Sequence, residues 1–220
     1  MHKNPRFFPT FGAIDKSIYI NYNIIKEKVQ MYQRSGRRTI VYLKCVTEKT
    51  ANQQKCFEDA LLSLMKEVEF DKISVVEICE AAGITRRIFY RLFETKNDCL
   101  ISAIDHKLLA SETYQSKTGR RGFCQVLEFI KEERDFFDLL GKGNHIGLFM
   151  DRVLEYINKE NVYVKHLMGI YGSAEKELLI FNISGFIGLI FYWGSTNYEK
   201  SIEEMAEMLI MLMKSPYLEK

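Results

Sequence analysis

The chain has 220 residues, of which 47% are hydrophobic and 27% charged. That is enough apolar material for one large or two small packed domains, and it excludes a disordered chain, a collagen and a mucin-like stalk. The formal net charge of +2 hides an asymmetry: residues 1–50 carry ten Lys/Arg against three Asp/Glu, whereas the remainder carries 21 basic and 26 acidic residues. Any attraction to nucleic acid must therefore come from a local basic patch and not from the field of the whole molecule.

The three prolines are Pro5, Pro9 and Pro216. The long stretch between the last two lacks the strongest helix breaker, worth roughly 3 kcal/mol inside a helix, so an all-α chain is expected. Residues 1–50 form a basic extension, in which Ile24–Tyr32 has helical spacing and Thr39–Thr47 has strand composition. Two readings of it stand side by side. One is an arm that lays Arg34, Arg37 and Arg38 on phosphates or in a minor groove; the other is a tail without a role.

From Asn52 the apolar residues Phe57, Leu61, Leu64 and Val68 fall on one helical face. Phe70-Asp71-Lys72 interrupts it. Ser74-Val75-Val76-Glu77 is a capping box that starts a second helix at Ser74, and Gly83 ends that helix. Thr85 is placed to cap a third, whose inward stripe is Ile88, Phe89, Leu92 and Phe93. Lys96-Asn97-Asp98 opens a fourth, carried by Leu100, Ile104, Leu108 and Leu109. Residues 51–110 thus form one unit, and a loop beyond Ala110 (SETYQSKTGRRG) leads to a second unit over residues 111–220.

In that second unit, Phe123, Leu127, Ile130 and Phe137 mark one helix ending near Gly141. Ile146, Phe149, Met150, Val153 and Ile157 mark the next, and Val162–Tyr171 is a further candidate. Ala174–Trp193 is a long helix, nearly all apolar from Leu178. It holds Asn182, Ser184, Gly185 and Gly188, and its apolar part is short for a membrane span, so it is expected to be buried in protein. Ser201-Ile202-Glu203-Glu204 is a second capping box, and Ile202, Met205, Leu209 and Leu212 define the last helix.

The turn Ala81-Ala82-Gly83-Ile84 between short helices has the spacing of a helix-turn-helix, in which the second helix enters the major groove. The helix after the turn has a docking face of Phe89, Leu92 and Phe93. Its other face shows Arg86, Arg87, Tyr90 and Arg91, with Lys96 just beyond. Arginine donates bidentately to guanine, and tyrosine and lysine suit phosphates.

Residues 55–108 resemble the DNA-binding domain of the tetracycline-repressor (TetR/AcrR) family. The run F-D-K-I-S-V-V-E-I-C-E-A-A-G-I-T-R-R-I-F-Y-R-L-F-E-T-K-N-D-C-L carries the likeness. The resemblance implies that Ser74 offers a phosphate-contacting hydroxyl. It places Thr85, Arg86, Arg87 and Tyr90 in the recognition helix, and makes Lys96 a phosphate anchor. Two positions depart from the family pattern: Val76 stands where arginine is frequent, and Leu92 where histidine is frequent.

The segment G-F-I-G-L-I-F-Y-W-G followed by S-I-E-E-M-A-E-M-L is similar to a subgroup of the same family. That likeness implies a homodimer in which the last two long helices pair with those of a second chain. Gly185, Phe186, Ile190, Trp193, Met205, Leu209 and Leu212 are the expected interface. Family members usually bind a small molecule among the middle helices, for which the aromatics Phe129, Phe136, Phe137, Phe149 and Tyr156 are the candidates here; a protein co-regulator is the other effector expected. An aromatic stripe at this spacing is more often core than ligand site.

The resulting expectation is an all-α, homodimeric transcriptional regulator that binds an operator in double-stranded DNA and represses until an effector acts. The alternative is a helical small-molecule- or protein-binding module that has lost operator recognition. No cofactor, metal site, membrane association or catalysis is expected. The five cysteines are never paired as C-x-x-C, His106, His145 and His166 lack ligand spacing, and Gly141–Gly147 follows no strand. Cysteine usage and the N-terminal sequence fit a cytoplasmic protein.

Overall fold

A computed structural model describes residues 47–111, 119–158 and 176–213. Among these residues the chain is all α-helical. The elements are α1 (Glu48–Leu64), a 3-10 turn (Phe70–Lys72), α2 (Val75–Ala82), α3 (Arg86–Leu92), α4 (Lys96–Ser111), α5 (Gly119–Glu132), α6 (Arg134–Lys142), α7 (Ile146–Asn158), α8 (Lys176–Ser195) and α9 (Ile202–Met213). The basic extension up to residue 46, with Cys45, and the Val162–Tyr171 candidate lie outside the described residues.

Helix α1 begins earlier than the apolar pattern suggests. Thr47 and Thr50 form a reciprocal capping box that satisfies the first free N–H groups. It also ends earlier: Val68 lies past the helix and is exposed, while Phe57 and Leu61 are fully buried. Helix α2 starts as expected. Ser74 Oγ accepts from Glu77 N–H at 3.2 Å, and Glu77 Oε2 accepts from Ser74 N–H at 2.7 Å. Gly83 ends it with φ +64°, a left-handed backbone that glycine adopts without strain. Helix α4 is capped by Thr95, whose Oγ1 accepts from Asp98 N–H while Asp98 accepts from Thr95 N–H at 2.8 Å.

Two expectations in the second unit need correction. Gly119–Gly122 are helical and not loop, and the single helix expected through Phe123 and Phe137 is two. The chain breaks at Glu133, with φ −96° and ψ 23°. Ile130 and Phe137 are seven residues apart, so the apolar rhythm runs straight across the break and conceals it.

Helices α1–α4 share a core of Phe57, Leu61, Ile78, Phe89, Phe93, Leu100 and Ile104. Helix α9 packs along α5, and α8 lies on α6 and α7. Helix α4 joins the two units, packing against α1 on one side and α7 on the other. No helix of the described residues is long and apolar enough to cross a membrane. Cys79 and Cys99 are buried packing residues, whereas Cys56 is exposed.

Candidate nucleic-acid interface

Helix α3 is only seven residues long and cannot hold its shape alone; packing of one face fixes it. Phe89 sits edge-on to Phe57 of α1, with ring centroids 5.2 Å apart, and Phe93 completes the cluster at 5.3 Å from Phe89. Ile84 N–H bonds back to the Cys79 carbonyl at 3.0 Å, which closes the turn between α2 and α3. The apolar seat therefore orients the helix and turns its opposite face outward.

On that face Arg86, Arg87, Tyr90 and Arg91 are all exposed, Tyr90 by 58%. Arg86 and Arg87 have no hydrogen-bond or ion-pair partner among the described residues. Arg91 differs: its Nη2 donates to Gln53 Oε1 of α1 at 3.1 Å, which ties the end of the recognition helix to its brace. Thr85 occupies the N-cap position with an extended backbone, but its hydroxyl makes no cap bond. Val76 on α2 is exposed too.

Two other expected contacts are engaged within the chain. The Ser74 hydroxyl donates to Glu77 Oε2 at 2.7 Å, and these bonds hold the Glu77 carboxyl below its usual range. Lys96 Nζ donates to the carbonyls of Phe70, Asp71 and Ile73 at 2.8, 2.9 and 2.8 Å and lies 4.8 Å from the centre of the Phe70 ring. All three ammonium donors thus go to the backbone leading into α2, so Lys96 fixes that turn and has none left for a phosphate.

The expected interface residues also divide. Ile190, Trp193, Met205 and Leu209 are buried inside the chain, which corrects their expected place on a subunit face. Trp193 packs edge-on to Tyr198 at 4.9 Å and donates Nε1–H to the Lys200 carbonyl, and Phe186 packs on Phe123. Gly185 and Leu212 do lie outside. Sequence reading missed Phe181 and Tyr192, which join Gly185 and Gly188 in one exposed stripe along α8, and Met211, which joins Leu212 on α9. Spacings of four, three and four residues on α8 were the available signal.

Among the effector candidates, Phe129, Phe136, Phe137 and Phe149 are buried. Phe137 contacts each of the other three edge-on, and Phe191 joins them. Tyr156 is half-buried, and its hydroxyl has no hydrogen-bond partner among the described residues. A groove of about 410 Å³ lies elsewhere, between the segment after α1 and helix α6, with Phe70, Asp138, Leu139 and Lys142 among its walls. Among the described residues no His/Cys/Asp/Glu group has the arrangement of a metal site.

A short helix seated by aromatics, presenting unpaired guanidinium groups after a glycine turn, defines a helix-turn-helix protein with a separate C-terminal helical domain. Residues 59–103 match the family of bacterial regulatory proteins, tetR family, and residues 118–215 match the TetR-type transcriptional regulator C-terminal region. The chain belongs to the TetR family of transcriptional regulators.

Two solved structures share the fold. One is titled dihydroxyacetone kinase operon activator DhaS: it is 16% identical with a TM-score of 0.50, and the match covers 73% of this chain and 93% of that one. The other is a TetR-like transcriptional regulator from Rhodococcus sp. RHA1, 17% identical with a TM-score of 0.51, covering 76% of this chain and 97% of that one. No protein of curated function matches the sequence.

Proposed function

We propose that the chain works in the cytoplasm as a homodimeric repressor. It reads an operator with α3 and leaves it when an effector, a small molecule or a protein co-regulator, engages the C-terminal helices. One observation carries this reading: Arg86 and Arg87 stand exposed, and unpaired among the described residues, opposite the buried Phe89 and Leu92. Guanidinium groups held so, on a helix that can enter a major groove, suit bidentate contact with guanine. Tyr90 and the uncapped Thr85 hydroxyl supply backbone contacts beside them.

The dimer would form on the α8–α9 stripe. Phe181 and Tyr192 flank Gly185 and Gly188, and an added Cβ at either glycine meets nothing within 4 Å. Glycines at such a place let a second backbone approach closely. A twofold pair would set two α3 helices on half-sites about 34–36 Å apart, or multiples of that. Effector control then requires different effector affinity for the two spacings of the recognition helices.

The test is a selection of bound sites from random duplex DNA with the full chain. Enrichment of a two-part site with twofold symmetry, bound with steep salt dependence, is expected. A reporter driven from that site should rise when the chain is removed. Recovery of no preferred duplex favours the operator-blind binding module.

A further inference from the structure

Helix α1 has two working faces. Gln53 and Phe57 hold Arg91 and Phe89 of the recognition helix. The adjacent positions, Gln54 and Glu58, face α4. Glu58 is fully buried, yet its carboxylate is enclosed by donors: Oε2 accepts from His106 Nδ1 at 2.6 Å, and Oε1 accepts from Ser102 Oγ and from Gln54 Nε2. Gln54 Nε2 also reaches Ser102 Oγ at 2.6 Å. On α4 the residue before His106 is Asp105, also buried, and it takes both Nε and Nη2 of Arg152 of α7 at 2.8 Å. Neighbouring positions of one helix thus grip the DNA-reading unit and the C-terminal unit.

We propose that the His106–Glu58 pair is a pH-responsive latch that holds α1, and through it the seat of the recognition helix, on α4. The latch depends on a charge in a dry place. Burial works against the His106 imidazolium, but the Glu58 carboxylate beside it outweighs burial and raises its pKa above the ordinary value. Burial likewise opposes the Glu58 charge, and His106 and Ser102 overcome it, so the carboxyl titrates below its usual range.

The other charges around the pair are Lys55 on α1, which opposes the imidazolium, and Asp105 on α4, which supports it. From α7, Arg152 and Glu155 face Asp105, and from the α5–α6 junction Glu133 pairs with Lys107. A group with a raised folded pKa contributes its full stability below the free value, near 6.5, and loses it as pH rises through the folded value. The latch therefore weakens on the alkaline side. It also weakens in acid, once Glu58 takes up a proton.

Hydrogen exchange of the α1 amides, measured on the full chain without DNA from pH 6.5 to 9.5, tests the latch independently of operator binding. After correction for intrinsic exchange, the opening of α1 should rise roughly tenfold for each unit by which the folded His106 pKa exceeds its free value. In His106→Gln, whose amide keeps a neutral donor toward Glu58, that rise should vanish. Opening of α1 that is independent of pH in the wild-type chain, or the same rise in His106→Gln, overturns the proposal. If the variant does not fold, NMR titration of the wild-type His106 ring decides. A midpoint above 6.5 supports the latch, and a midpoint at or below it overturns it.

Discussion

The DNA-reading unit and the C-terminal unit solve the same burial problem and leave opposite surfaces behind. In residues 47–111 the large aromatics turn inward, and the outward face of α3 is cationic, with Tyr90 as its aromatic member. In residues 176–213 the aromatics divide: Trp193 is 1% exposed, whereas Phe181 is 75% and Tyr192 64% exposed. The first surface suits a polyanion and the second suits another apolar surface. What a folded unit leaves uncovered, more than what it buries, distinguishes the partners it can take.

The comparison breaks most visibly at Gly185. In the isolated chain Gly185→Leu has open space and gains helix propensity, so the fold should persist. If a second chain lies against this stripe, sedimentation should show conversion of a dimer to a monomer with unchanged helicity. An unchanged mass would remove the stripe from the interface.

Within the DNA-reading unit, Phe57→Ala removes the ring that Phe89 and Phe93 both rest on. A loss of roughly 3–5 kcal/mol in urea unfolding is expected. Lys96→Met should cost about 2 kcal/mol by the same measurement, because three carbonyls before α2 lose a charged donor. That loss should appear without any DNA present, which separates a clamp from a phosphate anchor. Ser74→Ala should cost about 1 kcal/mol through loss of the α2 cap. The cap contribution of Glu77 is present above the ordinary carboxylate pKa and lost as pH falls through its lowered folded value.

The sequence made some of the local stops and starts legible. Ser74 and Ser201 begin helices where their capping boxes say, and Gly83 ends one with the backbone that only glycine takes cheaply. Arg86, Arg87 and Tyr90 lie outward because Phe89 and Leu92 must lie inward. What pattern reading hides is the identity of partners. Lys96 reads as a free cation until the carbonyls of Phe70, Asp71 and Ile73, distant in sequence, surround it. The pairing of Glu58 with His106 is hidden in the same way, though Gln54/Glu58 and Ser102/His106 each stand one helical turn apart and were the visible trace of a polar seam. Ile190, Trp193, Met205 and Leu209 are apolar on any reading; only packing decides whether their own chain or another covers them.

The most direct test of operator reading is the affinity for one selected duplex of the wild-type chain, Arg86→Ala and Arg87→Ala, followed by fluorescence anisotropy across a salt series. Each substitution should weaken binding by about 1–3 kcal/mol, with the helical content of the chain intact. Equal affinity of all three proteins for the duplex would contradict it.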